Sequence, residues 1–303
     1  MIEQWCIRVP LARAEAVRRA LIEEGFFDPT LKVRRDGDSL LIPVTEPREG
    51  SDRCGFEPNP ARVELPRHEL VGGIAIMSEP DRAGAALILA SRPSLHTVVC
   101  AASEVAGEYR TREFGILAGD PTTRTEVIEY GHHFIVDLSR AYFSARLSTE
   151  RQRVLAEVRA GESVLDMFAG VGPFAITLAR RAAFVTAVDL NPQAIELMIE
   201  NLAKNRVKNV LPMLADARHL PGILSSKFDR IVMNLPLSGT EFLAEAFSLC
   251  REGGMIHFYV LVSAESEHRE IITSLGGEIA NERVVRSYSP EQWHAVYDIR
   301  VKG

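Results

Sequence analysis

From about residue 146 to the C-terminus, strand-like and helix-like segments alternate regularly, and this alternation restricts the fold more than any other feature. The strand candidates are SVLDMF, FVTAVD, NVLPML, FDRIVMN, GGMIHFYV, EIANERVV and AVYDIRV. The clearest helix between them, NPQAIELMIENLAKN, offers Asn191 as N-cap and Pro192 at its first position. A stripe of Ile195, Met198, Ile199 and Leu202 is expected to face the core. Strands separated by helices pair in parallel and are covered on both faces. The prediction is an α/β fold, a doubly wound Rossmann-like domain over 146–303. Its last two strands follow closely enough to form an antiparallel edge.

Two smaller units precede it. Residues 1–57 read as a small N-terminal α/β domain: strand WCIRVP, helix RAEAVRRALIEEG, then KVRRDGDSLLIPV with DGDS as a hairpin turn. TEPREGSDRCGFEPNP, residues 45–60, is rich in Pro, Gly and charge and reads as a linker. Residues 58–145 read as a middle α+β domain with strands GGIAIM, TVVCAA, FGILAG and HHFIVDL. No apolar run approaches the ~20 residues that cross a bilayer, and the N-terminus lacks a signal-peptide pattern, so a cytoplasmic protein without a membrane partner is expected. The four cysteines, Cys6, Cys54, Cys100 and Cys250, have no metal-binding spacing and read as reduced thiols, with no metal expected. A net charge of -6 argues against indiscriminate nucleic-acid binding but permits a local basic patch.

In a doubly wound sheet, ligands bind beyond the carboxyl ends of the strands. The first such end is VLDMFAGVGPFAI. Asp166 closes the strand, and Gly170 and Gly172 allow a tight turn and close approach of a ligand. Asp189 ends the next strand, about 23 residues later, where a carboxylate can accept both hydroxyls of a ribose. Asp216 follows the third strand, where an adenine amino group could be bound. Any one of these acids could be a capping carboxylate; three at successive strand ends favour a nucleoside cofactor. Leu190 and Ala217 adjoin them and complete that set. The pattern D-x-F-x-G-x-G, with Phe168 between Asp166 and Gly170, resembles the first motif of the S-adenosylmethionine-dependent methyltransferases.

The fourth strand runs into Asn234-Leu235-Pro236. The Asn234 side-chain oxygen, and the Leu235 carbonyl as a second acceptor, could hold a flat N–H-bearing group beside a methyl donor. Pro236 biases Leu235 toward extended geometry. Enzymes that methylate exocyclic amines often carry Asn-Pro-Pro and an aromatic residue here, whereas this chain has Leu235 and Leu237.

The stretches YRTREFGILAGD, DLSRAYFSARLSTERQRV, DMFAGVGPFAI, AVDLNP and DRIVMNLPLSGTEFL together resemble the archaeal and eukaryotic tRNA (guanine-37, N1) methyltransferases, from about residue 105 to residue 260. The N-terminal piece is similar to that family's small extra domain. The resemblance implies methyl transfer from S-adenosylmethionine to the anticodon loop of tRNA by a monomer. It implies Glu150 as the base for the N1 proton, Arg110 (with Arg112 the neighbouring candidate) facing O6, and Asn234 holding the base edge. Tyr142, Arg146, Asn234 and Pro236 would contact the substrate, and Arg151 the cofactor. A glutamate working as a base should have a raised pKa, from burial beside Phe143 and Leu147 or on base docking; pairing with Arg146 or Arg151 would lower it instead. Two departures stand out: Ala145 replaces the family's proline, and EVIEYG replaces its His-Lys-Glu-Asn-Gly stretch. The alternatives are a wyosine-pathway aminocarboxypropyl transferase using the same cofactor, methylation of a wyosine precursor, or an RNA-binding protein with a relic cofactor fold.

Overall fold

The computed structural model describes residues 1–59, 64–103, 109 and 111–303, which divide into two units, Met1–Leu65 and Pro66–Gly303. The first unit contains β1 (Ile2–Pro10), α1 (Leu11–Glu23), β2 (Arg34–Asp36), β3 (Ser39–Val44) and β4 (Ser51–Phe56). They form an antiparallel sheet in the order β2-β3-β1-β4. Asp36 pairs with Ser39 across the predicted turn, and Gly37 takes φ +60° there. The expected linker is different. Residues 51–56 are a strand beside β1, and the Lys32 and Asn59 amides donate to the Glu57 and Thr30 carbonyls. The unit therefore continues past residue 57. An edge strand is held by backbone bonds, which a Pro- and Gly-rich composition does not reveal. Cys6 and Cys54, far apart in sequence, meet across β1 and β4 with their Sγ atoms 2.7 Å apart.

The second unit begins with β5 (His68–Val71), β6 (Ile74–Met77), α2 (Arg82–Ser91), β7 (Thr97–Ala101) and β8 (Phe114–Gly119), whose strands form a four-stranded sheet in chain order. The hairpin of β9 (Arg124–Glu129) and β10 (His132–Asp137) follows, then α3 (Ser148–Glu157). The remainder alternates as predicted: β11 (Ser163–Asp166), α4 (Pro173–Leu178), β12 (Phe184–Asp189), α5 (Pro192–Lys204), β13 (Val210–Leu214), α6 (Leu220–Ile223), β14 (Phe228–Asn234), α7 (Leu243–Leu249), β15 (Cys250–Val262), α8 (Arg269–Ser274), β16 (Gly277–Ser289) and β17 (Gln292–Val301). The seven strands lie in the order β13-β12-β11-β14-β15-β17-β16. The first five are parallel, and β17 runs antiparallel to both neighbours, which leaves β16 at the edge. Strand order reverses between β11 and β14, so a crevice opens at their carboxyl ends.

One apolar cluster joins Val71, Ile74, Val99, Phe134 and Val136 to Val154, Phe174 and Val185. The segment expected as a separate middle domain has its own sheet but shares this core. Helix α5 buries Ala194, Ile195, Leu197, Met198 and Leu202 as an amphipathic helix should, yet Ile199, expected inside, is exposed. The buried polar member of that face is Asn201. Its amide accepts from Ile135 N and donates to the Ile135 and Val171 carbonyls at 2.6–3.0 Å. Asn205, one turn on, treats His133 in the same way. Two side-chain amides thus bind β10 to α5.

Candidate cofactor and substrate site

The crevice holds a cavity of about 380 Å³, within the range that takes a cofactor. Its floor is the turn after β11. Gly170 sits at φ +55° and Gly172 at φ +88°, and a Cβ on Gly172 would come within 2.8 Å of Met198 Cγ. The backbone can turn there only without side chains. Pro173 then starts α4. Of the residues expected from sequence, Tyr142, Arg151, Phe168, Gly170, Asp189, Leu190, Asp216, Ala217 and Asn234 line the cavity. The sequence reading missed Met167, Leu237, Glu241 and Phe242. Phe242 packs edge-on against Phe168 with ring centroids 5.1 Å apart. Met167, Leu237 and Phe242 are apolar wall residues and Glu241 is a carboxylate, and none has a motif of its own.

The three acids differ in environment. Asp189 Oδ2 accepts from Gly170 N at 2.6 Å and Oδ1 from Asn191 N at 2.9 Å; burial still pushes its pKa up. Asp216 caps the turn at Ala217, and the Arg218 guanidinium, 2.8 Å away, holds its carboxyl below the usual range. Asp166 lies behind the cavity wall, fully buried. Neither oxygen has a hydrogen-bond partner among the described residues. Burial, and then the nearby Asp189 carboxylate, push it up to about 7; the Ala175 and Phe168 amides oppose the shift without reaching hydrogen-bond geometry. The Asp189 and Asp216 carboxylates at successive strand ends on the cavity wall fit a nucleoside.

Arg151 is 2% exposed. Its Nε and Nη2 donate to both oxygens of Glu129 at 2.7–3.0 Å, and Nη2 also reaches the Ser144 carbonyl. Burial lowers the arginine's pKa and raises the glutamate's, as expected for a desolvated pair. Glu129 lies within EVIEYG, and its pairing with α3 was not legible from spacing.

Asn234 ends β14 at the cavity, with Oδ1 buried and unpartnered among the described residues. The neighbouring expectations need correction. The Leu235 carbonyl is not free for a substrate: it accepts from Gly239 N at 2.7 Å and Ser238 N at 3.3 Å, closing the turn after β14. Pro236 does not line the cavity, and its carbonyl accepts from Leu261 N. Arg110 lies outside the described residues. Tyr142 stands half exposed between this cavity and a second one, which Arg112 and Arg146 also line. Arg146 pairs there with Glu69 at 3.0 Å.

Glu150 does not match the expected environment. It is 3% exposed and is absent from the cavity lining. Oε2 accepts from Arg153 Nε at 3.0 Å and Tyr259 Oη at 3.2 Å, and Oε1 from Arg283. Burial would raise its pKa, but the hydrogen bonds from Arg283 and Arg153 bring it below the ordinary value. The rise expected from burial is outweighed by the hydrogen bonds from Arg153, on the same helix, and Arg283, which comes from β16 outside the motif. Arg153 continues to Asp298 at 2.8 Å, and Asp298 to buried His257 at 2.6 Å. With Glu157, these two form a candidate metal cluster, but Arg153, Arg230 and Asn281 already bond its acceptors. No helix among the described residues is long and apolar enough to cross a membrane.

Residues 125–285 match the TRM5/TYW2 methyltransferase domain, and residues 6–52 the tRNA methyltransferase 5 N-terminal domain. The tRNA (guanine(37)-N(1))-methyltransferase Trm5b of Pyrococcus abyssi is 38% identical over 97% of this chain and 98% of its own. A crystal structure of Trm5b from that organism superposes with TM-score 0.78 at 37% identity, covering 99% of this chain and 100% of the other. A complex of aTrm5 with tRNALeu gives 0.75 at 28% identity, over 98% and 99%. The TYW2 of M. jannaschii in complex with AdoMet covers less, 77% of this chain and 98% of its own, at 0.59 and 26% identity. The chain belongs to the TRM5/TYW2 methyltransferase family.

Proposed function

We propose that this protein transfers the methyl group of S-adenosylmethionine to N1 of guanine 37 in tRNA. The observation that carries this reading is Asn234: a buried acceptor without a partner among the described residues, on the wall of a nucleoside-sized cavity, in a chain similar over nearly its whole length to enzymes named for this reaction. Bound S-adenosylmethionine supplies an electrophilic methyl group on a sulfonium sulfur. Asp189 would hold its ribose hydroxyls and Asp216 the adenine edge, while Asp166 would face the amino group of the methionine moiety and Arg151 its carboxylate.

Guanine N1 carries a proton at neutral pH, so that proton must leave as the N1–methyl bond forms. Asn234 Oδ1 would accept from the base edge and Tyr142 would stack on or flank the base. Arg110 would meet the charge that grows on O6. Glu150 is ionised at neutral pH and can accept the N1 proton once base docking draws Arg283 away. The N-terminal unit, residues 1–65, serves tRNA binding, and residues 66–145 form the substrate side of the catalytic unit. The protein works in the cytoplasm as a monomer.

Incubation with unmodified tRNA transcript and labelled cofactor, followed by nucleoside analysis, tests the assignment. It should yield 1-methylguanosine at position 37. A product heavier by an aminocarboxypropyl group would assign the chain to the other branch of the family. No product and no heat of cofactor binding would leave an RNA-binding relic.

A further inference from the structure

The edge strand β16 has an irregularity that the reaction as described does not use. Arg283 pairs with Val296 of β17, Val284 with Ala295, and Arg286 with His294, so Val285 is an extra residue without a cross-strand partner. In a regular strand, residues three apart point to opposite faces. The bulge places Arg283 and Arg286 opposite Val296 and His294, two residues apart on β17, and therefore on one face. Val285 itself packs against the apolar cluster beneath. On that face Arg283 reaches Glu150 of α3, and Arg286 reaches the second cavity, of about 180 Å³.

That cavity shares Tyr142, Phe143 and Ser144 with the cofactor cavity. It holds Arg112, Arg146 and Arg286 against one carboxylate, Glu69, which Arg146 already engages. A wider groove with Arg67 and His68 adjoins it. Arg286 Nε is buried and has no hydrogen-bond partner among the described residues. A buried guanidinium donor without an acceptor marks a place where an anion belongs.

We infer that Arg286, turned by the Val285 bulge onto the catalytic face, binds a phosphate of the RNA backbone beside the target nucleotide, with Arg112 and Arg146 completing the site. This rests on the reading of tRNA as substrate. A nucleotide whose base lies against Tyr142 and Asn234 carries its phosphates one sugar away, and the shared wall leads from one cavity to the other. The planar guanidinium fork suits two phosphate oxygens, as an ammonium does not.

The test uses full-length protein and full-length tRNA at several salt concentrations. Arg286→Gln should weaken tRNA binding about tenfold and lower the slope of log K against log salt by about one. Cofactor affinity and melting temperature should hold. Arg286→Lys should restore the slope but only part of the affinity. In a second arm, tRNA with a neutral methylphosphonate linkage on either side of guanine 37 should bind the wild type more weakly at one of the two positions. At that position it should cost Arg286→Gln almost nothing further. Wild-type affinity and slope in Arg286→Gln, or penalties that simply add, would overturn the inference. If the wild-type protein itself fails to bind tRNA, the functional reading has failed instead.

Discussion

At Asp166 the fold keeps a carboxylate from water with no hydrogen-bond partner for either oxygen among the described residues, and its pKa rises to about 7. The sign follows from linkage. The folded pKa lies above the unfolded one, so the fold tolerates the protonated form and loses stability as pH climbs from the ordinary carboxylate range through about 7. Asp166→Asn should therefore melt higher than the wild type at pH 8 without cofactor, with the advantage fading toward pH 4. It should nonetheless bind S-adenosylmethionine more weakly. Thermal melts and calorimetry check both, and unchanged affinity would make Asp166 a purely structural residue. Asp189 differs in its partners: both oxygens accept from backbone amides that shape the turn. Asp189→Ala should cost about 1.5–3 kcal/mol of cofactor binding from the lost charged acceptor, measured by the same titration. Glu150 shows how far one side chain can depart from its motif. Its depressed pKa means that its ionised form stabilises the fold above the ordinary carboxylate range, a contribution lost as pH falls through the folded value. The charged and polar groups against it are Arg153 on its own helix, Arg283 from β16 and Tyr259 from β15. Arg283→Met leaves the burial and removes a cation. The acidic limb of the kcat/KM profile, which reports the free enzyme in which Arg283 holds Glu150, should then move to higher pH; a limb that stays in place would mean that Glu150 is not the proton acceptor.

At the scale of elements, the contact between α5 and the β9–β10 hairpin depends on polar side chains inside an otherwise apolar face. Asn201 satisfies the N–H and C=O of Ile135 and the carbonyl of Val171. Asn201→Ala strands those groups in a dry interface. Each unsatisfied buried group costs about 1–3 kcal/mol, so a loss of at least about 2 kcal/mol in chemical denaturation is expected. A near-neutral result would show that water or a shifted hairpin replaces the amide. The same hairpin supplies Glu129 to Arg151, so the variant should also weaken cofactor binding. The periodicity of α5 was readable in the sequence, yet it put Ile199 inside and said nothing of Asn201. Hydrophobic pattern cannot identify a polar residue buried because a strand edge needs its amide.

At the scale of the whole molecule, Pro66–Gly303 contains the entire cavity lining and both large apolar clusters. Removing residues 1–65 should preserve a cooperative melt and methyl transfer to a minimal anticodon stem-loop, while raising KM for full-length tRNA. Equal loss on both substrates would refute a separate binding role for the N-terminal unit.

The alternation of strands and helices, the glycine turn with its three strand-end acids, and Asn234 at the end of β14 were all determined by sequence alone. Each follows from local rules: side-chain periodicity, the steric freedom of glycine, and the place where a buried strand stops. Tertiary structure alone decided which charges meet. Glu150 and Arg283 are far apart in the chain, as are Arg151 and Glu129, and it is β16 at the sheet edge and the β9–β10 hairpin that bring them together. The direction of the Glu150 pKa and the facing of Arg286 follow from packing and one inserted residue, and neither burial nor a strand bulge has a signature in the spacing of a motif.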